Sequence, residues 1–216
     1  MTPHQGQPIV NAGLPVAQAR MAMILVHGRG GSAADILNLA NSLEISSFAY
    51  LAPQAATGSW YPNSFLMPLE RNEPGLSSAL ATLEDLMKDL ERQGISPEKV
   101  ILGGFSQGAC LALEYAARHA RRFGGVFAFS GGLIGPEGTP RDYPGTLEGT
   151  PLFIGCSDTD AHIPLARVEE SVRVMTALNA RVDKRIYPSM GHTINADEIE
   201  AVKAMMLDLE QQSKQS

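Results

Sequence analysis

Val100-Ile101-Leu102-Gly103-Gly104-Phe105-Ser106-Gln107-Gly108 opens as a short apolar run of the kind buried in a central strand, then breaks at glycines and presents one serine. It leads into Ala109-Cys110-Leu111-Ala112-Leu113-Glu114-Tyr115-Ala116-Ala117, a helix-forming segment that is small on the side that must approach a sheet. Between Gly104 and Gly108 a strand must turn sharply into a helix with Ser106 at the tip. Glycine two residues to either side makes that turn sterically feasible, because a Cβ there would strike the neighbouring strand or helix. The serine Oγ is thereby exposed at a helix N-terminus, where backbone N–H groups face developing negative charge. Such a turn is a nucleophile elbow.

Outward from the elbow, apolar runs alternate with amphipathic stretches, the pattern of a mostly parallel sheet covered by helices on both faces. The runs predict strands near 22–26, 48–52, 99–103, 125–129, 152–156 and 182–187. Leu76, Leu80, Leu83, Leu86, Met87 and Leu90 share one helical stripe; Leu165, Val168, Val172, Met175 and Leu178 form a second. A third runs through Ile199, Val202, Met205, Met206 and Leu209, preceded by Asn195 and Glu198 at the spacing of a capping box. With the elbow, this arrangement predicts an α/β-hydrolase fold without a large cap, as one domain over residues 1–216. Two long Gly- and Pro-rich stretches, 53–74 and 130–150, follow strand ends, where open α/β sheets bind ligands.

The chain has 216 residues, 44% hydrophobic and 19% charged, with a formal net charge of −6. A chain this acidic lacks the clustered Lys and Arg that bind nucleic acid or an anionic membrane surface. The N-terminus carries neither the basic region nor the apolar stretch of a secretory signal, so a cytoplasmic location is expected. Cys110 and Cys156 fall at predicted core positions and read as free thiols. Whether the chain works as a monomer or a homodimer is left open.

A serine hydroxyl attacks carbonyl carbon only when a base takes its proton, and the base needs a carboxylate to hold its tautomer. Downstream of Ser106, the run at 152–156 ends in Ser157-Asp158-Thr159-Asp160-Ala161-His162-Ile163-Pro164. The run at 182–187 ends in Pro188-Ser189-Met190-Gly191-His192. Of the five histidines, His4 lies in an N-terminal tail, His27 belongs to a glycine loop and His119 closes a helix. His162 sits beside the acid rather than across from Ser106, which leaves His192 as the base. Asp158 and Asp160 are both strand-end carboxylates, and Asp158, Asp160 and His162 also admit a metal reading that lacks a third, well-spaced cluster. An oxyanion hole is expected from His27-Gly28-Arg29-Gly30-Gly31 after the first strong strand, with the backbone N–H groups of Arg29 and Gln107 as donors.

These residues together resemble the phospholipase/carboxylesterase family of compact α/β-hydrolases, which includes acyl-protein thioesterases and small bacterial esterases. The likeness spans nearly the whole chain. It rests on His27-Gly28-x-Gly30, Ser59-Trp60-Tyr61, Gly103 to Ala109 around Ser106, Ser130-Gly131-Gly132, Asp160-x-x-Ile163-Pro164 and Gly191-His192. The resemblance implies that Asp160 is the acid of a Ser106–His192–Asp160 triad, with Asp158 bracing the loop. It implies cleavage of small to medium acyl esters, with thioesters or lysophospholipids as further substrates, through an acyl-enzyme and with no cofactor or metal. Arg29-Gly30-Gly31 stands where a hydrophobic residue often follows His-Gly in the eukaryotic thioesterases.

Trp60, Tyr61, Phe65, Leu66 and Met67, in the first long loop, are expected to wall the acyl pocket together with Ile163; Leu133 and Ile134 are weaker candidates. Two rival functions share the scaffold: a serine peptidase or C–C hydrolase, and a non-catalytic ligand-binding relative. Turnover of a simple chromogenic ester separates the last from an enzyme.

Overall fold

Buried on both faces, the strands that flank the elbow need near-continuous apolar sequence, and the chain supplies it. The structure, a computed structural model, describes residues 2–43 and 45–215. Its strands are β1 (Ile9–Gly13), β2 (Met21–Val26), β3 (Phe48–Pro53), β4 (Val100–Phe105), β5 (Gly125–Phe129), β6 (Pro151–Ser157) and β7 (Arg181–Tyr187). They form one sheet in the order β1-β3-β2-β4-β5-β6-β7. Only β1 runs antiparallel to its neighbour; every other pair is parallel.

The helices are α1 (Ala33–Ile36), α2 (Asn38–Leu43), α3 (Gly75–Arg92), α4 (Gln107–Arg118), α5 (Leu165–Ala177) and α6 (Ala196–Gln215). Successive strand residues point to opposite faces. Ala22, Ile24 and Val26 of β2 pack with α3, α4 and α5, while Met21, Met23 and Leu25 pack with α1, α2 and α6. The α3 stripe is buried along its length, and cutting Leu83 to alanine would cost about 2–5 kcal/mol. In the α5 stripe, Leu165 departs from expectation, standing 36% exposed at the first residue of the helix.

β1 has no counterpart among the predicted strands, and β4 begins one residue later than expected because Pro97–Lys99 forms a 3-10 turn. The capping box before α6 is present: Asn195 N–H donates to Glu198 Oε2 at 2.9 Å, and Glu198 N–H donates to Asn195 Oδ1 at 2.9 Å. Glu198 is fully buried, and burial pushes its carboxyl up to about 7. No described helix is long and apolar enough to cross a membrane.

The central strands β2, β4 and β5 end side by side, so the loops that follow them converge at the C-terminal end of the sheet. The loop after β6 and the loop after β7 join them there. The loops after β2, β3, β6 and β7 thus meet around the tip of the elbow.

Candidate active site

Ser106 joins β4 to α4 with φ 56° and ψ −119°, a left-handed conformation that costs a non-glycine residue about 1–3 kcal/mol. It is held by Ser106 N–H donating to Phe129 O at 2.9 Å and by Cys110 N–H donating to Ser106 O at 3.0 Å. A Cβ at Gly104 or at Gly108 would run into the carbonyl oxygen of Val26, so both glycines are needed where β4 and α4 press against β2.

His192 Nε2 lies 2.8 Å from Ser106 Oγ, and His192 Nδ1 lies 2.7 Å from Asp160 Oδ2. A carboxylate only accepts, so Nδ1 carries the proton and Nε2 is left to accept from the serine hydroxyl. The other oxygen, Oδ1, accepts the N–H groups of His162 at 2.8 Å and Ile163 at 3.0 Å. Burial opposes the charge on Asp160, but these bonds, led by the one from His192, hold its carboxyl below the usual range. The Asp160 side chain is inaccessible to solvent, whereas His192 keeps 20% of its surface open to the cleft.

Asp158 faces elsewhere: its Oδ1 accepts Ser189 N–H at 2.8 Å and ties the β6 loop to the β7 loop. His162 stands edge-on to His192 with ring centroids 4.7 Å apart, on the wall of the cleft. Phe105 packs on the same ring at 4.8 Å. Cys110 and Cys156 are free and buried, and burial pushes both thiols up to about 12, so neither supplies a thiolate at neutral pH.

A cleft of about 820 Å³ opens over Ser106 and His192. Arg29 and Gln107 both border it, and among the described residues neither backbone N–H has a protein acceptor. Tyr61, Phe65 and Ile163 line it as expected. Trp60, Leu66 and Met67 do not. Trp60 is fully buried, with its indole N–H donating to His27 O at 2.9 Å and its ring set between His4 and His27. Leu66 packs half-buried against the core, and Met67 is 37% exposed and does not line the cleft. Glycine and proline content marks such a segment as irregular, but the direction of each side chain is fixed by packing. Leu133 and Ile134 are likewise core residues.

His4 is another correction. Far from lying in a tail, it is buried, with its Nε2 2.8 Å from Trp60 O and its Nδ1 accepting Ala56 N–H at 3.1 Å. Further lining residues, Ile36, Leu39 and Ile194, come from α1, α2 and the residues after His192 and are absent from the sequence reading. The sequence signal was there in Ser32 and Asp35, a capping box that starts α1 directly after the Gly28-Arg29-Gly30-Gly31 loop.

The architecture is that of the α/β-hydrolases. The chain is similar to a phospholipase/carboxylesterase from Dyadobacter fermentans DSM 18053, with 45% identity and a TM-score of 0.91 over 96% of this chain and 99% of that one. It also superposes on the Bacillus cereus carboxylesterase with a TM-score of 0.72 over 95% of both chains; at 19% identity that likeness speaks for the fold alone. Acyl-protein thioesterase 1 of Saccharomyces cerevisiae is 30% identical over 133 residues, 58% of this chain and only 56% of the yeast protein's length. The model of the phospholipase/carboxylesterase family matches residues 7–208, and this chain belongs to that family.

Proposed function

We propose that the protein is a serine hydrolase that cleaves small to medium acyl esters, and thioesters of similar size, through an acyl-enzyme on Ser106. One observation carries the reading: Ser106, His192 and Asp160, from three separate loops, form an unbroken hydrogen-bonded line whose Ser106 and His192 end opens into a cleft.

As Ser106 Oγ attacks the carbonyl carbon, His192 Nε2 takes the hydroxyl proton. The positive charge that develops on the imidazole faces the Asp160 carboxylate. The carbonyl oxygen becomes an oxyanion and is received by the N–H groups of Arg29 and Gln107, an arrangement worth roughly 10²–10³ in rate for a single donor. Collapse of the tetrahedral intermediate breaks the bond to the alcohol or thiol, which leaves with the proton from His192. Water then repeats the sequence on the acyl-enzyme and releases the acid. Tyr61, Phe65 and Ile163 supply the apolar surface that holds the acyl group. No metal or cofactor takes part in any step.

The test is a panel of p-nitrophenyl esters and the matching thioesters of graded chain length, together with labelling by a fluorophosphonate. Turnover that vanishes in Ser106→Ala, with the label on the peptide holding Ser106, is the expected result. An inactive wild-type protein, or a label on any other residue, would overturn the reading.

A further inference from the structure

Arg29 and Gln107 are brought together by more than their backbone N–H groups. Their side chains grip the same five residues, 59–63. The Arg29 guanidinium donates from Nη1 to Ser59 Oγ at 3.1 Å and to Pro62 O at 2.8 Å, and from Nη2 to Asn63 O at 2.6 Å. The buried Gln107 amide accepts Trp60 N–H at 2.9 Å and donates to Tyr61 O at 2.9 Å. From the other side Trp60 donates its indole N–H to His27 O, and Gly30 N–H donates to Gly58 O at 2.8 Å, just past Arg29.

Most of these acceptors are backbone carbonyls, which cannot rotate away as side chains can. Arg29 therefore spends its guanidinium on the loop, and a planar fork of five donors suits several carbonyls held in fixed positions. Three of its five N–H donors are thereby committed to the loop rather than to a substrate. Catalysis by an oxyanion hole depends on donors set in place before the charge appears. The Gln107 N–H is set by the first turn of α4, whereas the Arg29 N–H lies in a tight turn closed by Gly31 N–H donating to Gly28 O at 3.1 Å, one bond that the 59–63 segment backs.

We infer that residues 59–63 are the frame on which the Arg29 half of the oxyanion hole is aligned, and that the Arg29 side chain is a positioning residue acting through that frame. The inference rests on the hydrolase reading above.

Arg29→Met keeps the backbone donor and removes the clamp. With a p-nitrophenyl ester it is expected to lower kcat at least about 10-fold, approaching but not exceeding the 10²–10³ loss of a donor removed outright. KM should stay within about twofold. Inhibition by an alkyl trifluoromethyl ketone, whose Ser106 adduct places an oxyanion in the hole, should weaken by the same factor as kcat, and Arg29→Lys should recover part of both. Gln107→Met, which cuts the second clamp without moving the first, should show the same split, and the double variant should lose less than the product of the single losses. Wild-type kcat and ketone affinity in Arg29→Met would overturn the inference. So would a loss confined to KM. A wild-type protein with no esterase activity would instead overturn the reading of the site, and this inference with it.

Discussion

Asp160 and His192 meet at 2.7 Å through an oxygen that no backbone N–H competes for, because the N–H groups of His162 and Ile163 both go to the other oxygen. The carboxylate is thus held by its own loop as well as by the imidazole. Asp158, two residues away, is spent on Ser189.

Asp160→Asn should consequently be far more damaging than Asp158→Asn. An amide can present an N–H to Nδ1 and turn the imidazole to the wrong tautomer, which in the best-studied serine protease costs about 10⁴ in kcat. Asp158→Asn retains an oxygen for Ser189 N–H and is expected to lose less than about tenfold. Steady-state kcat for the two variants on one ester checks this, and equal losses would remove Asp160 from the triad.

Phe65 and Met67 make a contrasting pair, one lining the cleft and the other exposed outside its lining. Phe65→Ala should shift the preferred acyl chain to greater length and lower kcat/KM for the shortest esters. Met67→Ala should leave the chain-length profile of the wild type unchanged. A profile that moves with Met67 and not with Phe65 would reverse their places in the site.

His4 predicts an acid-sensitive fold. Its two ring nitrogens serve one acceptor and one donor, which only the neutral imidazole can do, and burial lowers its pKa below the ordinary 6.5. The unfolded chain takes up a proton below about pH 6.5 that the folded chain resists, so stability is lost as pH falls. His4→Ala should cost about 1–3 kcal/mol at pH 7, where it leaves Trp60 O and Ala56 N–H without their partner. That gap should narrow toward pH 5, because the variant has no imidazole to protonate. Denaturant melts at the two pH values test this; a gap that is constant or wider at pH 5 would count against it.

Glu198 works in the opposite sense. Its folded carboxyl is raised from 4.5 to about 7, so the folded state holds the proton more tightly and the contribution to stability fades as pH rises through 7. Glu198→Gln cannot ionise and keeps an oxygen for Asn195 N–H. Its Tm relative to wild type should therefore climb between pH 6 and pH 8. A relative Tm that is flat or falls over that range would show that the carboxyl ionises without penalty.

The elbow could be read from nine residues because its demands are local: an apolar run, two glycines beside β2, and a small-sided helix. The approximate places of six strands followed for a similar reason, since strands buried on both faces leave little freedom of composition. β1 escaped because a five-residue antiparallel edge strand is largely exposed and needs no apolar run. His4 and Trp60 escaped for a different reason. The partners of His4 lie 52, 56 and 74 residues along the chain, and no window of sequence carries such a contact. The choice between Asp158 and Asp160 likewise depends on how the loops after β6 and β7 sit against each other, which spacing alone left open.

The two edges of the sheet are unlike, and this bears on how the protein would fail when overheated. At one end β7 exposes Arg181, Asp183 and Lys184, with Arg185 paired to Asp183 and Asp197. A charged strand of that kind repels a stranger seeking to add to it. At the other end β1 presents Ile9 and Val10, 42% and 37% exposed, with no charge among its five residues. Thermal aggregates should therefore nucleate at the β1 side, and a single lysine in place of Val10 should slow clouding of a heated solution without touching the chemistry at Ser106.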